Sequence, residues 1–122
     1  MKILVAEDDE LLRNLLISFL NEAGHNVQGA SDGMELVKLV LENKPDLIFT
    51  DLNMPNMSGD TMIAMIESHS ELSSLPIIVI SGAPEKEIKD MALSKDIIVL
   101  SKPLDFEKIS AELKKIEDKL KP

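Results

Sequence analysis

Short aliphatic runs along the chain alternate with longer stretches in which apolar positions recur every three or four residues. The short runs are Ile3 to Ala6, Asn26 to Ala30, Leu47 to Thr50, Ile77 to Ile80 and Ile97 to Leu100. All but the second are almost continuously apolar, as strands covered on both faces of a parallel sheet must be. In the first longer stretch, Leu11, Leu12, Leu15, Leu16, Phe19 and Leu20 give a helix one apolar face, and Ala23-Gly24 suits a glycine C-cap. Met34, Val37, Val40 and Leu41 form a second face, preceded by Asp32 and Glu35 at capping-box spacing. Met62, Ile63, Met65 and Ile66 mark a shorter third helix, and Ile88, Met91 and Ala92 a weakly patterned fourth between Pro84 and Leu93. Phe106, Ile109, Leu113, Ile116 and Leu120 mark the last. Strand and helix in alternation predict an α/β fold: a doubly wound, five-stranded parallel sheet with five helices on two faces and right-handed crossovers. Ligands in such sheets bind beyond the carboxyl ends of the strands.

The totals narrow the function. A chain of 122 residues fits a single domain, residues 1–122, with one sizeable core. The absence of cysteine removes disulfides, zinc–thiolate sites and thiol chemistry, and suits a reducing compartment. A net charge of −9 argues against direct nucleic-acid binding, which needs cations to neutralise phosphates, and favours cations or basic surfaces as partners. The apolar run at the N-terminus stops at Glu7, too short for a signal peptide or a membrane span, so a cytoplasmic protein without membrane contact is expected.

The polar residues that follow the strands carry the chemistry. Glu7-Asp8-Asp9 follows the first strand, Asp51 the third, Ser81-Gly82 the fourth and Ser101-Lys102-Pro103 the fifth. Each has an ordinary explanation alone: Asp8 or Asp9 as a helix cap, Asp51 and Ser81 as turn formers, Lys102 as a solvated charge. A parallel sheet, however, would gather all of them at one edge. Several carboxylates close together cannot all ionise cheaply without a cation. Oxygen ligands with no His or Cys nearby select a hard ion, Mg²⁺ above all with Mn²⁺ as a substitute. A carboxylate nucleophile, a divalent ion, a lysine and a hydroxyl together make up the inventory of phosphoryl transfer.

The motifs KILVAEDDELLR, PDLIFTDLNMPNMSG, PIIVISGAP and VLSKPLDFEKI, in this order, closely resemble the receiver domain of two-component response regulators along the whole chain. The resemblance implies a flavodoxin-like sheet of strand order 2-1-3-4-5. It implies that Asp51 accepts a phosphoryl group from a partner histidine kinase or phosphotransfer protein. Asp8, Asp51 and the main-chain carbonyl of Asn53 would ligate Mg²⁺ directly, and Glu7 through water, with Asp9 as the helix cap. Ser81 would be the switch hydroxyl and Lys102 the lysine contacting the phosphoryl group. The Lys102-Pro103 bond would be cis, and Gly59 would close the loop after the phosphorylated strand. The family's usual aromatic three residues before the lysine is here Val99, and the glycine common before the fifth strand is missing from Met91 to Asp96, which leaves the fourth helix and its neighbourhood as the divergent region.

A receiver is a signalling domain rather than an enzyme, with at most slow self-phosphorylation from small donors and slow self-dephosphorylation. Because the chain stops at Pro122, after the last helix, a stand-alone receiver acting on a downstream protein is the favoured expectation over one separated from an output domain. A haloacid-dehalogenase-like phosphatase would also use a strand-end Asp with Mg²⁺, but needs a second acid where this chain has Asn53. A degenerate receiver that binds without phosphorylation would not need the full set of acids, Ser81 and Lys102. His25 and His69 lack metal-ligand spacing and read as surface or turn residues. Met34, Met62, Met65 and Met91 read as packing, and Met54 and Met57 as flanks of the Asp51 loop.

Overall fold

A computed structural model describes residues 1–54, 56–90 and 97–120. Strands β1 (Lys2–Ala6), β2 (Asn26–Ala30), β3 (Leu47–Thr50), β4 (Ile77–Ser81) and β5 (Ile98–Ser101) alternate with helices α1 (Glu10–Glu22), α2 (Gly33–Glu42), α3 (Gly59–Glu67), α4 (Glu85–Asp90) and α5 (Phe106–Leu120). The strands form one parallel sheet in the order β2-β1-β3-β4-β5, the arrangement that the strand–helix alternation and the resemblance together led to expect. The residues of Met91 to Asp96, including the Met91–Ala92 part of the fourth-helix stripe, lie outside the described residues.

Strand periodicity divides the core in two. Leu4, Ala6, Ile48, Ile77 and Val79 point to the face covered by α2 and α3, where Leu36, Val40, Met62 and Ile66 meet them. Ile3, Val5, Leu47, Phe49, Ile78 and Ile80 point to the opposite face, against Leu16 and Leu20 of α1 and Ile109, Leu113 and Ile116 of α5. Because β1 from Ile3 onward, β3 and β4 are buried on both sides, every position there had to be apolar or small, which is why their sequence pattern is so plain.

The helix ends follow local chemistry. Asp9 caps α1 by accepting from the Leu12 N–H at 3.1 Å. At the other end, Gly24 takes φ 94°, its N–H bonds the Asn21 carbonyl, and the His25 N–H bonds that of Leu20, a Schellman ending that only an unhindered residue closes at no steric cost. Asp32 accepts from the Glu35 N–H at 2.8 Å. Glu35 reaches back to the N–H and hydroxyl of Ser31, one residue earlier than the box motif expects.

Three expectations are corrected. The α1 face is narrower than its leucines suggest: Leu16 and Leu20 are buried, whereas Leu11 is 80% exposed and Leu15 49%, because a helix lying on a sheet covers one row of i, i+4 positions and the leucines one residue earlier turn about 100° away. Met34, Leu41, Met65 and Leu120 are likewise exposed instead of packed. His25 does stand in the turn before β2, but its side chain is buried between the N-terminal amine, 3.1 Å from Nδ1, and the Glu117 carboxylate, 3.1 Å from Nε2. His69 is exposed, as expected.

Candidate functional site

Strand register assembles the site. Ala6 pairs with both Ala30 and Thr50, and the ladder continues past the strand ends: the Glu7 N–H bonds the Ala30 carbonyl and the Asp51 N–H the Ala6 carbonyl, each at 3.1 Å. On the other side Ser81 pairs with Ser101, and the Lys102 N–H bonds the Ser81 carbonyl at 2.9 Å. The residues just beyond β1, β3, β4 and β5 therefore stand at one edge of the sheet, where the strand order reverses around β1.

Glu7, Asp8 and Asp51 each place a carboxylate oxygen within 4.8 Å of the others. Glu7 and Asp51 are buried and Asp8 is exposed. Lys102 bridges the buried pair, with Nζ 2.7 Å from Asp51 Oδ2 and 3.0 Å from Glu7 Oε1. The remaining oxygens are also engaged: Asp51 Oδ1 accepts from the Asn53 N–H and Glu7 Oε2 from the Asp9 N–H, both at 3.2 Å. The floor is apolar, formed by Leu12, Leu16, Phe49, Ile80 and Leu104, so charges here are poorly hydrated from below. Burial accordingly raises the Glu7 pKa above its ordinary value, with Asp8 and Asp51 adding to the rise, against the opposing pull of Lys102 and the Asp9 N–H. Burial also works against the Lys102 ammonium, but its bonds to Asp51 and Glu7 outweigh that and hold its pKa above the usual lysine value.

Ser81 is buried at the end of β4, and its hydroxyl accepts from the Ala83 N–H at 3.0 Å. The Lys102-Pro103 peptide is cis, as the resemblance implies. Gly59 packs so tightly that a Cβ there would stand 2.5 Å from Leu52 Cα and 3.0 Å from the Asp51 carbonyl oxygen. Val99 is 37% exposed on β5, an edge strand.

Some supporting residues were not singled out from sequence. Thr50 donates its buried hydroxyl to the Asp51 carbonyl at 2.8 Å. Asn56, at φ 70°, donates to Asp32 Oδ2 at 2.9 Å and ties the loop after β3 to the start of α2. Arg13 donates to the Glu7 carbonyl at 2.7 Å. The Asn in the turn and the glycine inside β2 were the available signals.

The chemistry of the donor set fits a hard divalent cation: the clustered ligands are all carboxylate oxygens, and His25 sits at the opposite end of the sheet, beside Met1. A sheet of this order, with acids and a lysine converging at its switch point, has the layout of the receiver fold that the sequence motifs resemble. The chain belongs to the response regulator receiver domain family, whose model matches residues 3–114. Over 113 residues it is 35% identical to the two-component response regulator PhoP of Pseudomonas aeruginosa, covering 93% of this chain and 50% of PhoP. It is 30% identical over 122 residues to the chemotaxis protein CheY-3 of Vibrio cholerae, covering 98% of this chain and 94% of CheY-3. A match of 31% identity to the sensor histidine kinase TmoS of Ectopseudomonas mendocina spans only 12% of that protein, so the chain corresponds to a minor part of some relatives and nearly all of others. Among solved structures, the response regulator TrrA of Thermotoga maritima, in complex with Mg²⁺ and BeF, superposes with a TM-score of 0.82 at 25% identity, over 94% of this chain and 97% of that one. The chain is thus a receiver domain of two-component signal transduction. No helix among the described residues is long and apolar enough to cross a membrane.

Proposed function

We propose that Asp51 is the phosphoacceptor of this receiver, taking a phosphoryl group from a phosphohistidine on a partner kinase or phosphotransfer protein. The observation that carries the assignment is the meeting of Glu7, Asp8 and Asp51 with Lys102 at one sheet edge. A carboxylate oxygen of Asp51 attacks phosphorus; the O–P bond forms as the P–N bond to the partner's histidine breaks, and the nitrogen keeps the bonding pair. Asp8, Asp51 and the main-chain carbonyl of Asn53 would hold Mg²⁺ directly and Glu7 through water, with Mn²⁺ as a substitute; TrrA, which carries Mg²⁺ with BeF, supports this reading. Mg²⁺, when bound, supplies positive charge to the phosphoryl oxygens. Lys102 is the protein's own donor to them, already poised on Asp51 at 2.7 Å.

Phosphorylation exchanges one negative charge on Asp51 for roughly two and adds acceptor oxygens. Ser81 answers it by exchanging the Ala83 N–H for a phosphoryl oxygen, and the loop Gly82 to Pro84 follows. Among the described residues of α4 none is completely buried and Ile88 is half-buried, so displacing that segment breaks little packing. The output is a population shift that alters binding of a downstream protein target or an output domain.

The test is phosphorylation by acetyl phosphate with Mg²⁺, read by intact mass. One modification is expected on wild type and none on Asp51→Asn. Modification that persists on Asp51→Asn would remove Asp51 from the role.

A further inference from the structure

Three consecutive acids, Glu7, Asp8 and Asp9, form the turn from β1 into α1, and like charges so close push such a turn open. Its backbone is held from two sides. On one, the Glu7 N–H bonds the Ala30 carbonyl at the end of β2. On the other, Arg13 Nη1 donates to the Glu7 carbonyl at 2.7 Å, a partly buried, charge-assisted bond. That carbonyl belongs to the peptide joining Glu7 to Asp8, so its orientation sets the direction from which both carboxylates leave the chain.

Arg13 reaches this carbonyl from the first turns of α1, and its stem passes over β2. Gly29 lies underneath: a Cβ there would stand 3.3 Å from Arg13 Cδ, 3.7 Å from Arg13 Cγ and 2.8 Å from Ile17 Cδ1. A glycine within a strand is unfavourable in itself and marks a close approach by something else.

We propose that Arg13 is a positioning residue for the divalent-cation site, its guanidinium clamping the Glu7–Asp8 peptide and Gly29 leaving the space that its stem crosses. The inference rests on the reading above that Mg²⁺ binds Asp8 and Asp51. It differs in sign from the simpler role of a nearby positive charge. A bare cation beside the acids opposes Mg²⁺, so deleting it would tighten binding; a clamp aims the ligands, so deleting it loosens binding.

The experiment is Mg²⁺ titration by calorimetry on chelator-stripped protein, beside urea unfolding of the same variants. Arg13→Met should weaken Mg²⁺ binding about tenfold, as loss of a group orienting metal ligands does. Arg13→Lys, which keeps a charged donor, should recover affinity to within about threefold of wild type. Gly29→Val, which leaves Arg13 in place but fills its path, should weaken binding too, and add little when combined with Arg13→Met. Wild-type or tighter affinity in Arg13→Met overturns the clamp, even where urea shows lost stability. Should Arg13→Met not fold, wild-type affinity in Gly29→Val overturns it instead. Asp8→Ala separates the two readings: if it binds Mg²⁺ like wild type, the metal site itself is misassigned and the clamp falls with it, whereas lost binding in Asp8→Ala with unchanged binding in Arg13→Met ends the clamp alone.

Discussion

Replacing Lys102 by Met removes the ammonium that joins Asp51 to Glu7 and keeps most of the aliphatic stem. The carboxylate oxygens left behind lie within 4.8 Å of each other over an apolar floor. At an effective dielectric of about 20, two unit charges at that separation repel by roughly 3 kcal/mol. Breaking a fully buried ion pair costs about 3–5 kcal/mol, since it strands an uncompensated charge. The Lys102 side chain is 28% exposed, so water screens part of this, and a loss of about 2–3 kcal/mol is expected in metal-free buffer. For a chain of this size that lowers Tm by roughly 10 °C. A divalent cation among the same oxygens replaces the missing charge. The variant should therefore bind Mg²⁺ more tightly than wild type, tenfold for each ~1.4 kcal/mol of relieved repulsion, and its stability deficit should shrink by more than half at saturating Mg²⁺. Circular dichroism during urea unfolding, in EDTA and in excess Mg²⁺, measures both quantities. An equal deficit in the two buffers would refute the electrostatic account, because packing of the stem is indifferent to the ion.

Two further outcomes follow from the site. Gly59→Ala sets a methyl 2.5 Å from Leu52 Cα, a backbone atom that cannot swing aside; about 2–3 kcal/mol of stability should be lost. Phosphorylation should slow as the strand end carrying Asp51 shifts, and urea midpoints with acetyl-phosphate rates unchanged from wild type would contradict this. For Glu7 the raised pKa means that ionised Glu7 opposes folding: the cost is absent below the unfolded value of 4.5 and complete above the higher folded value. Glu7→Gln in EDTA should thus gain stability relative to wild type as pH rises above 4.5. A difference that stays flat or moves the other way in urea midpoints would reverse the assigned direction.

The sheet and its edge were readable early because β1, β3 and β4 are covered on both faces, so burial left no room for polar residues until each strand ended. Asp51 stood out as the first charged side chain after such a run, and Ser81 as the first polar one. The helix faces were less legible. Leu11 and Leu15 carry the same periodicity as Leu16 and Leu20, and only the angle at which α1 lies on the sheet separates them. His25 stands in a turn as expected, but the burial of its side chain was not legible because its partners, the N-terminal amine and Glu117, come from distant parts of the chain. Arg13 was passed over because its role is to hold a carbonyl, and a carbonyl has no signature in sequence. Gly29 hinted at it, as an unexplained glycine inside a strand.

The amino-acid sequence by itself determined the alternation of strands and helices, the capped ends of α1 and α2, and the polar residues that follow each buried strand. These are local consequences of side-chain period, capping and burial. The tertiary structure alone decided which acid Lys102 bridges, across 95 positions to Glu7 and 51 to Asp51, which leucines of α1 meet the sheet, and how Arg13 passes over Gly29 to the Glu7 carbonyl. Those depend on strand register and helix orientation, which arise only when segments far apart in the chain pack together.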